Sequence, residues 1–148
     1  MVSIRAAAPG EEEALLPLFG WLFAPPGRQP AQWDEGRARA AVEATIAGER
    51  SELFVAEEDG EVVGICTVYL DLISVRYGQR AWVEDLAVHP DRRSRGIGKA
   101  LLDAAKGWAR ERGATHLELD SGDARTDAHR FYERERPSWT ARQFAWEL

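Results

Sequence analysis

Between residues 79 and 113 the apolar pattern switches from a period of two to a period of about 3.6, and the switch falls on a basic turn containing two glycines. Upstream, QRAWVEDLAV (79–88) reads as a strand ended by Pro90 and Asp91. Downstream, Ile97, Leu101, Ala104, Ala105 and Trp108 share one helical face, while Lys99, Asp103, Lys106 and Arg110 occupy the other. Gly113 closes that helix. Joining the two is RRSRGIGKALL (92–102). A strand that turns through glycines straight into an amphipathic helix commits the chain to an α/β fold.

The flanking sequence fits that commitment. SIRAA (3–7) reads as a first strand, and PGEEEALLPLFGWLF (9–23) as a helix weakened by Pro17 and Gly20. APPGRQP (24–30) is a loop, after which Asp34 caps a helix that ends at Gly48. ELFVAEEDGEVVGICTVYLDLI (52–73) gives two strands joined by a hairpin at Asp59-Gly60, with a further turn at Tyr77-Gly78. THLELD (115–120) is a strand, ARTDAHRFYERER (124–136) a helix stopped by Pro137, and the alternating tail SWTARQFAWEL a last strand. The expected order is β-α-α-β-β-β-α-β-α-β, a single domain over residues 1–148 with a mixed sheet.

Composition narrows the function. A 45% hydrophobic, 30% charged chain of 148 residues can build one core and is not disordered. Its net charge of −6 argues against a general nucleic-acid binder. No apolar run approaches the roughly 20 residues of a membrane span, and MVSIRAAAPGEEE lacks the pattern of a secretion signal. Cys66 is the single cysteine, so no disulfide forms within the chain and a cytoplasmic location is expected. His89, His116 and His129 have no metal-ligand spacing, so no metal is expected.

Glycines, three arginines and a lysine at a helix start suit an anion, because the first-turn amides lack intrahelical partners and carry partial positive charge. The Walker A pattern fails: Arg93 stands where its first glycine belongs, and Ala100 follows Lys99. The dinucleotide fingerprint fails at Leu101, which replaces its third glycine. What remains is Arg93-x-x-Gly96-x-Gly98 behind VEDLAV, with HRFYER (129–134) downstream. This combination resembles the GCN5-related N-acetyltransferase (GNAT) family, whose order of elements matches from residue 3 onward.

The resemblance implies a mixed, mostly antiparallel sheet flanked by helices and splayed between its fourth and fifth strands. It implies acetyl-CoA as co-substrate. The backbones of Leu86, Ala87 and Val88 would pair with the pantetheine arm and acetyl carbonyl, and the amides of Arg93, Ser94, Arg95, Gly96, Ile97, Gly98 and Lys99 would hold the pyrophosphate. Glu84 matches the position of the family's base, with Asp85 in reserve, and Tyr132 matches the tyrosine that protonates the departing sulfur. Strand alternation allows at most one of Glu84 and Asp85 to face the substrate unless a bulge intervenes.

The resemblance also implies that acceptor choice falls to residues 19–34 and 70–80, where Trp21 and Trp33 could line a pocket; Asp71, Glu84 and Asp85 would make a negative mouth suited to a small cationic amine. A protein lysine or N-terminal acceptor, a non-catalytic acyl-CoA sensor and a homodimer stay open. Two positions depart from the family: Arg125 replaces its usual asparagine, and Arg136-Pro137-Ser138-Trp139 replaces the usual Gly-Phe sequence after the last helix.

Overall fold

A computed structural model describes residues 1–148. In chain order it contains β1 (Val2–Ala6), α1 (Glu12–Leu15), a 3-10 run (Leu16–Leu22), α2 (Glu35–Ala47), β2 (Ser51–Glu58), β3 (Glu61–Ser74) and β4 (Gly78–Val88). A short 3-10 turn (Pro90–Arg92), α3 (Ile97–Glu111), β5 (His116–Glu118) and α4 (Thr126–Arg134) follow. The sheet order is β1-β2-β3-β4-β5, antiparallel throughout except for the parallel β4–β5 pair. Asp59 and Gly60 both take positive φ, 53° and 79°, the backbone that a tight two-residue hairpin requires.

Each face of the sheet is sealed by helices. α3 lays Ile97, Leu101, Ala105 and Trp108 on one face, against Val68, Ala81 and Val83. On the other, α1 and α2 bring Leu15, Val42 and Ile46 onto Leu53, Ile65 and Ala87. Asp34 caps α2 as its position implies, its Oδ1 accepting from the Arg37 amide at 2.8 Å.

Three sequence expectations change. The helix of residues 9–23 splits at Leu15/Leu16, because Pro17 has no N–H to continue the α-helical ladder and the chain tightens into 3-10 turns. The strand at THLELD shrinks to His116–Glu118, paired with Arg80–Trp82 alone. Beyond Trp82, β4 has no neighbour on that edge, so the expected splay is present. The last correction is the tail: residues 138–148 form no strand, and none of their amides bonds to another backbone group. Alternation sets which side chains share a face, but a ladder also needs a partner edge. No edge of this chain pairs with the tail.

Candidate functional site

The turn before α3 is built for an anion. Ser94 and Gly96 adopt positive φ of 63° and 82°, and Gly96 is the N-cap, with no side chain bonding to the helix start. No amide from Arg93 to Lys99 donates to a backbone carbonyl; the first ladder bond runs from Ala100 to Gly96 O at 3.0 Å. Unpaired first-turn amides on a fifteen-residue helix, with no acidic side chain in that turn, form a ready oxyanion cradle. The fixed charges are partly committed elsewhere: Arg92 pairs with Glu58 and Glu61, each at 3.3 Å, and Lys99 with Asp103 at 2.7 Å. Arg93 has no ion-pair partner, and the backbone supplies most of the cradle.

Gly96→Val tests that geometry. A Cβ there meets nothing within 4 Å, so the cost is that of a β-branched residue at φ 82°, about 1–2 kcal/mol. We expect a lower Tm by thermal melt and weakened pyrophosphate binding by calorimetry; unchanged binding would remove the cradle.

A bulge in β4 shapes the second part of the site. Thr67 lies opposite Asp85 and Val68 opposite Val83, which leaves Glu84 as the extra residue. The bulge reverses the alternation: Val83 packs under α3, whereas Ala87, four residues on, packs under α2. Consequently Trp82, Glu84 and Asp85 gather on the α2 side. Trp82 Nε1 donates to Glu84 Oε1 at 2.9 Å, orienting an otherwise exposed carboxylate. The Thr67 hydroxyl donates to Asp85 Oδ2 at 2.8 Å and accepts from the Asp85 amide at 3.0 Å. Burial pushes the Asp85 carboxyl up to about 6, with Glu84 adding to the rise and the Thr67 bond opposing it. Next to them, Tyr69 reaches Thr45 of α2 through its hydroxyl at 2.9 Å.

Tyr132 enters from the other side of the splay. It lines an open groove of about 1150 Å³ together with Trp82 of β4, Leu117–Ser121 and the start of the tail. Burial first, then the neighbouring Cys66, raises its phenol to about 12. Phe131, against Tyr132 at 5.1 Å between centroids, also sits 3.6 Å from where a Cβ on Gly98 would lie, and so docks α4 on the glycine turn. Arg125 spans the gap, its Nη2 donating to Leu22 O at 2.8 Å and tying the start of α4 to the 3-10 run. Cys66 is fully buried, with its thiol pushed up to about 12 by burial, in keeping with a core role.

Trp21 packs edge-on to His89 at 5.4 Å and Trp33 edge-on to Phe23 at 5.1 Å, and neither lines the groove that holds Tyr132. Asp71 is bound to Arg80 at 2.6 Å, which takes its charge out of the negative mouth. Thr67, Trp82 and Arg125 complete the arrangement without having been singled out as site residues by the sequence. Trp82 was the most accessible of them, two residues from Glu84 on an alternating strand; Thr67 depends on a register that the bulge conceals.

Residues 15–136 match the acetyltransferase (GNAT) family. Among curated relatives, the uncharacterized N-acetyltransferases YhdJ and YhfO of Bacillus subtilis are 40% and 33% identical, over 62% and 89% of this chain. The chain spans 63% of YhdJ and 87% of YhfO. The aminoalkylphosphonate N-acetyltransferase of Salmonella typhimurium is 37% identical over 55% of this chain and 53% of its own length. In fold, the aminoglycoside N-acetyltransferase AAC(6′)-Iy in complex with CoA superposes with a TM-score of 0.82 at 20% identity, covering 100% of this chain and 95% of that one. With a strand, a glycine turn and a splay where the motifs put them, and a family match across most of its length, this chain belongs to the GNAT acetyltransferase family.

Proposed function

We propose that the protein moves an acetyl group from acetyl-CoA to a primary amine of a small cationic molecule. The observation that carries this is the run of unpaired amides from Arg93 to Lys99, lying just past the unpaired edge of β4. Together they fit a diphosphate joined to an extended arm. The amides hold the diphosphate, and Leu86, Ala87 and Val88 offer their free edge to the arm. Bound acetyl-CoA would supply the thioester carbon that the amine attacks.

An amine of pKa about 10.4 is almost wholly protonated at neutral pH. Glu84, exposed and aligned by Trp82, removes that proton through a water. Asp85 draws the cation in. Tyr132 gives its proton to the departing sulfur. A small acceptor is supported by the relative named for aminoalkylphosphonates, which is 37% identical over 55% of this chain, and Glu84 and Asp85, adjacent on β4, suit a single cationic group. A second reading exchanges the carboxylates: Asp85, poised near 6, takes the proton and Glu84 binds the cation.

Thiol release from acetyl-CoA across a panel of polyamines, aminoglycosides, aminoalkylphosphonates and lysine peptides tests the proposal. Turnover should appear on a small amine. Glu84→Gln should lower it about tenfold or more, with the neighbouring Asp85 limiting the loss. Coenzyme A binding without turnover on any amine would indicate a sensor, and failure to bind coenzyme A would sink both readings.

A further inference from the structure

The two layers that cover the sheet meet where the sheet is missing. α4 stands with the α3 layer, because Phe131 docks it against Gly98. The 3-10 run stands with the other layer, where Trp21 and Leu22 pack on the cluster that contains Ile65 and Ala87. Past Trp82, β4 has no strand beside it to separate the two. Arg125, at the start of α4, reaches across this opening, and its Nη2 donates to Leu22 O at 2.8 Å. A bond with a charged donor is stronger than a neutral one.

Few other polar contacts hold the segment that begins at Leu22. Pro25, Pro26 and Pro30 have no N–H to donate. The backbone bonds beyond them are local, from Gly27 to Ala24 O at 2.8 Å and from Trp33 to Pro30 O at 3.1 Å. Of the hydrogen bonds that reach residues 22–33, only that of Arg125 comes from beyond residue 37. The segment is also shaped to receive it. A Cβ on Gly27 would fall on Leu22 O and on Arg125 Nη2, so glycine is what lets the turn close around the guanidinium.

We infer that, on the acyltransferase reading, Arg125 is a positioning residue for the acceptor: it fixes residues 22–33 as a wall beside Glu84 and Asp85, in register with Tyr132. The wall and the carboxylates are neighbours, since Ala87, in the cluster under Leu22, lies two residues past Asp85 on β4. Tyr132 is at the other end of the same tie. It follows Arg125 by seven residues, about two helical turns, and so shares its face of α4. Burial and then Cys66 raise the Tyr132 phenol while the Arg125 charge opposes them, which places the guanidinium within electrostatic range of that hydroxyl. An acceptor held against the wall is thereby held at a set distance from the proton donor. Position 125 is one at which this chain departs from the family pattern, so the tie is a property of this chain.

Limited trypsin digestion, without any acyl donor, reads the tie itself. Arg28 is exposed within the segment. Release of the fragment 1–28 should be about tenfold faster in Arg125→Ala than in wild type, since a hydrogen bond from a charged group is lost. Gly27→Ala, which displaces the guanidinium but leaves it in the chain, should act in the same way. The double variant should be cut no faster than the quicker single one, because both changes remove one interaction. In steady-state kinetics each single variant should raise KM for the amine about tenfold, with kcat and KM for acetyl-CoA within about threefold of wild type. Release of the fragment at the wild-type rate, or single effects that multiply in the double variant, would overturn the tie. A rise confined to KM for acetyl-CoA would make Arg125 a coenzyme contact and overturn the positioning role. A wild-type protein that acetylates no amine would remove the acyltransferase reading and the acceptor role with it, while the digestion result would stand.

Discussion

Replacing Tyr132 with phenylalanine is expected to lower kcat by about 10²–10³, while KM for acetyl-CoA moves by no more than a few-fold. The variant loses a single oxygen. The ring keeps its contact with Phe131 at 5.1 Å, so α4 stays docked on the glycine turn and the coenzyme loop is undisturbed. The loss therefore isolates proton delivery. With the phenol raised to about 12, Tyr132 stays protonated across any ordinary assay range, and the wild-type kcat profile should show no alkaline limb from this residue below pH 10. Because the departing sulfur takes its proton from Tyr132 and not from the medium, the gap between wild type and variant should stay constant from pH 7 to pH 10. Equal turnover by both proteins at pH 7 would remove Tyr132 from the mechanism.

What the sequence disclosed and what it hid follow from the range of the interactions involved. The turn at Gly96, the cap at Asp34 and the hairpin at Asp59-Gly60 are local, each dictated by a few adjacent residues, and all three appear where the sequence placed them. The order of elements up to α4 was legible for the same reason. The β4 bulge was not: Glu84 is squeezed out by the register of β3 against β4, a contact between residues far apart in the chain. Alternation alone therefore allowed one carboxylate at the site where the fold supplies two. The tail failed in the opposite direction. Its period of two is real, but a strand needs an edge to pair with, and no local signal tells whether the fold leaves one.

Asp85→Asn is expected to stabilise the protein near neutral pH and leave it unchanged near pH 4. Burial holds the Asp85 carboxyl at about 6 in the folded chain, whereas in the unfolded chain it returns to about 3.9. Between those values the native state keeps a proton that the unfolded state has lost. Stability from this group is thus fully present below about pH 4 and falls as pH rises through about 6, after which it is constant. At about 1.4 kcal/mol per pH unit, the ionised carboxylate costs the fold up to roughly 3 kcal/mol at pH 7.5. Asparagine carries no charge, and its carbonyl can still accept the Thr67 hydroxyl.

The difference in unfolding free energy between the two proteins, followed by urea titration, should open from near zero at pH 4 to about 1–3 kcal/mol at pH 7.5. Carboxylates such as Glu11, held well down at about 2 by its bonds to Arg5, cancel in that difference. A gap independent of pH would mean that Asp85 is not the strained group. Activity should move the other way. A charge kept where it destabilises the fold is the pattern of a functional carboxylate, so the variant should bind the amine more weakly, and the rise of kcat/KM through pH 6 should disappear with it. If that rise persists in Asp85→Asn, Asp85 does not set it, and this residue serves the site only through the packing of its bulge.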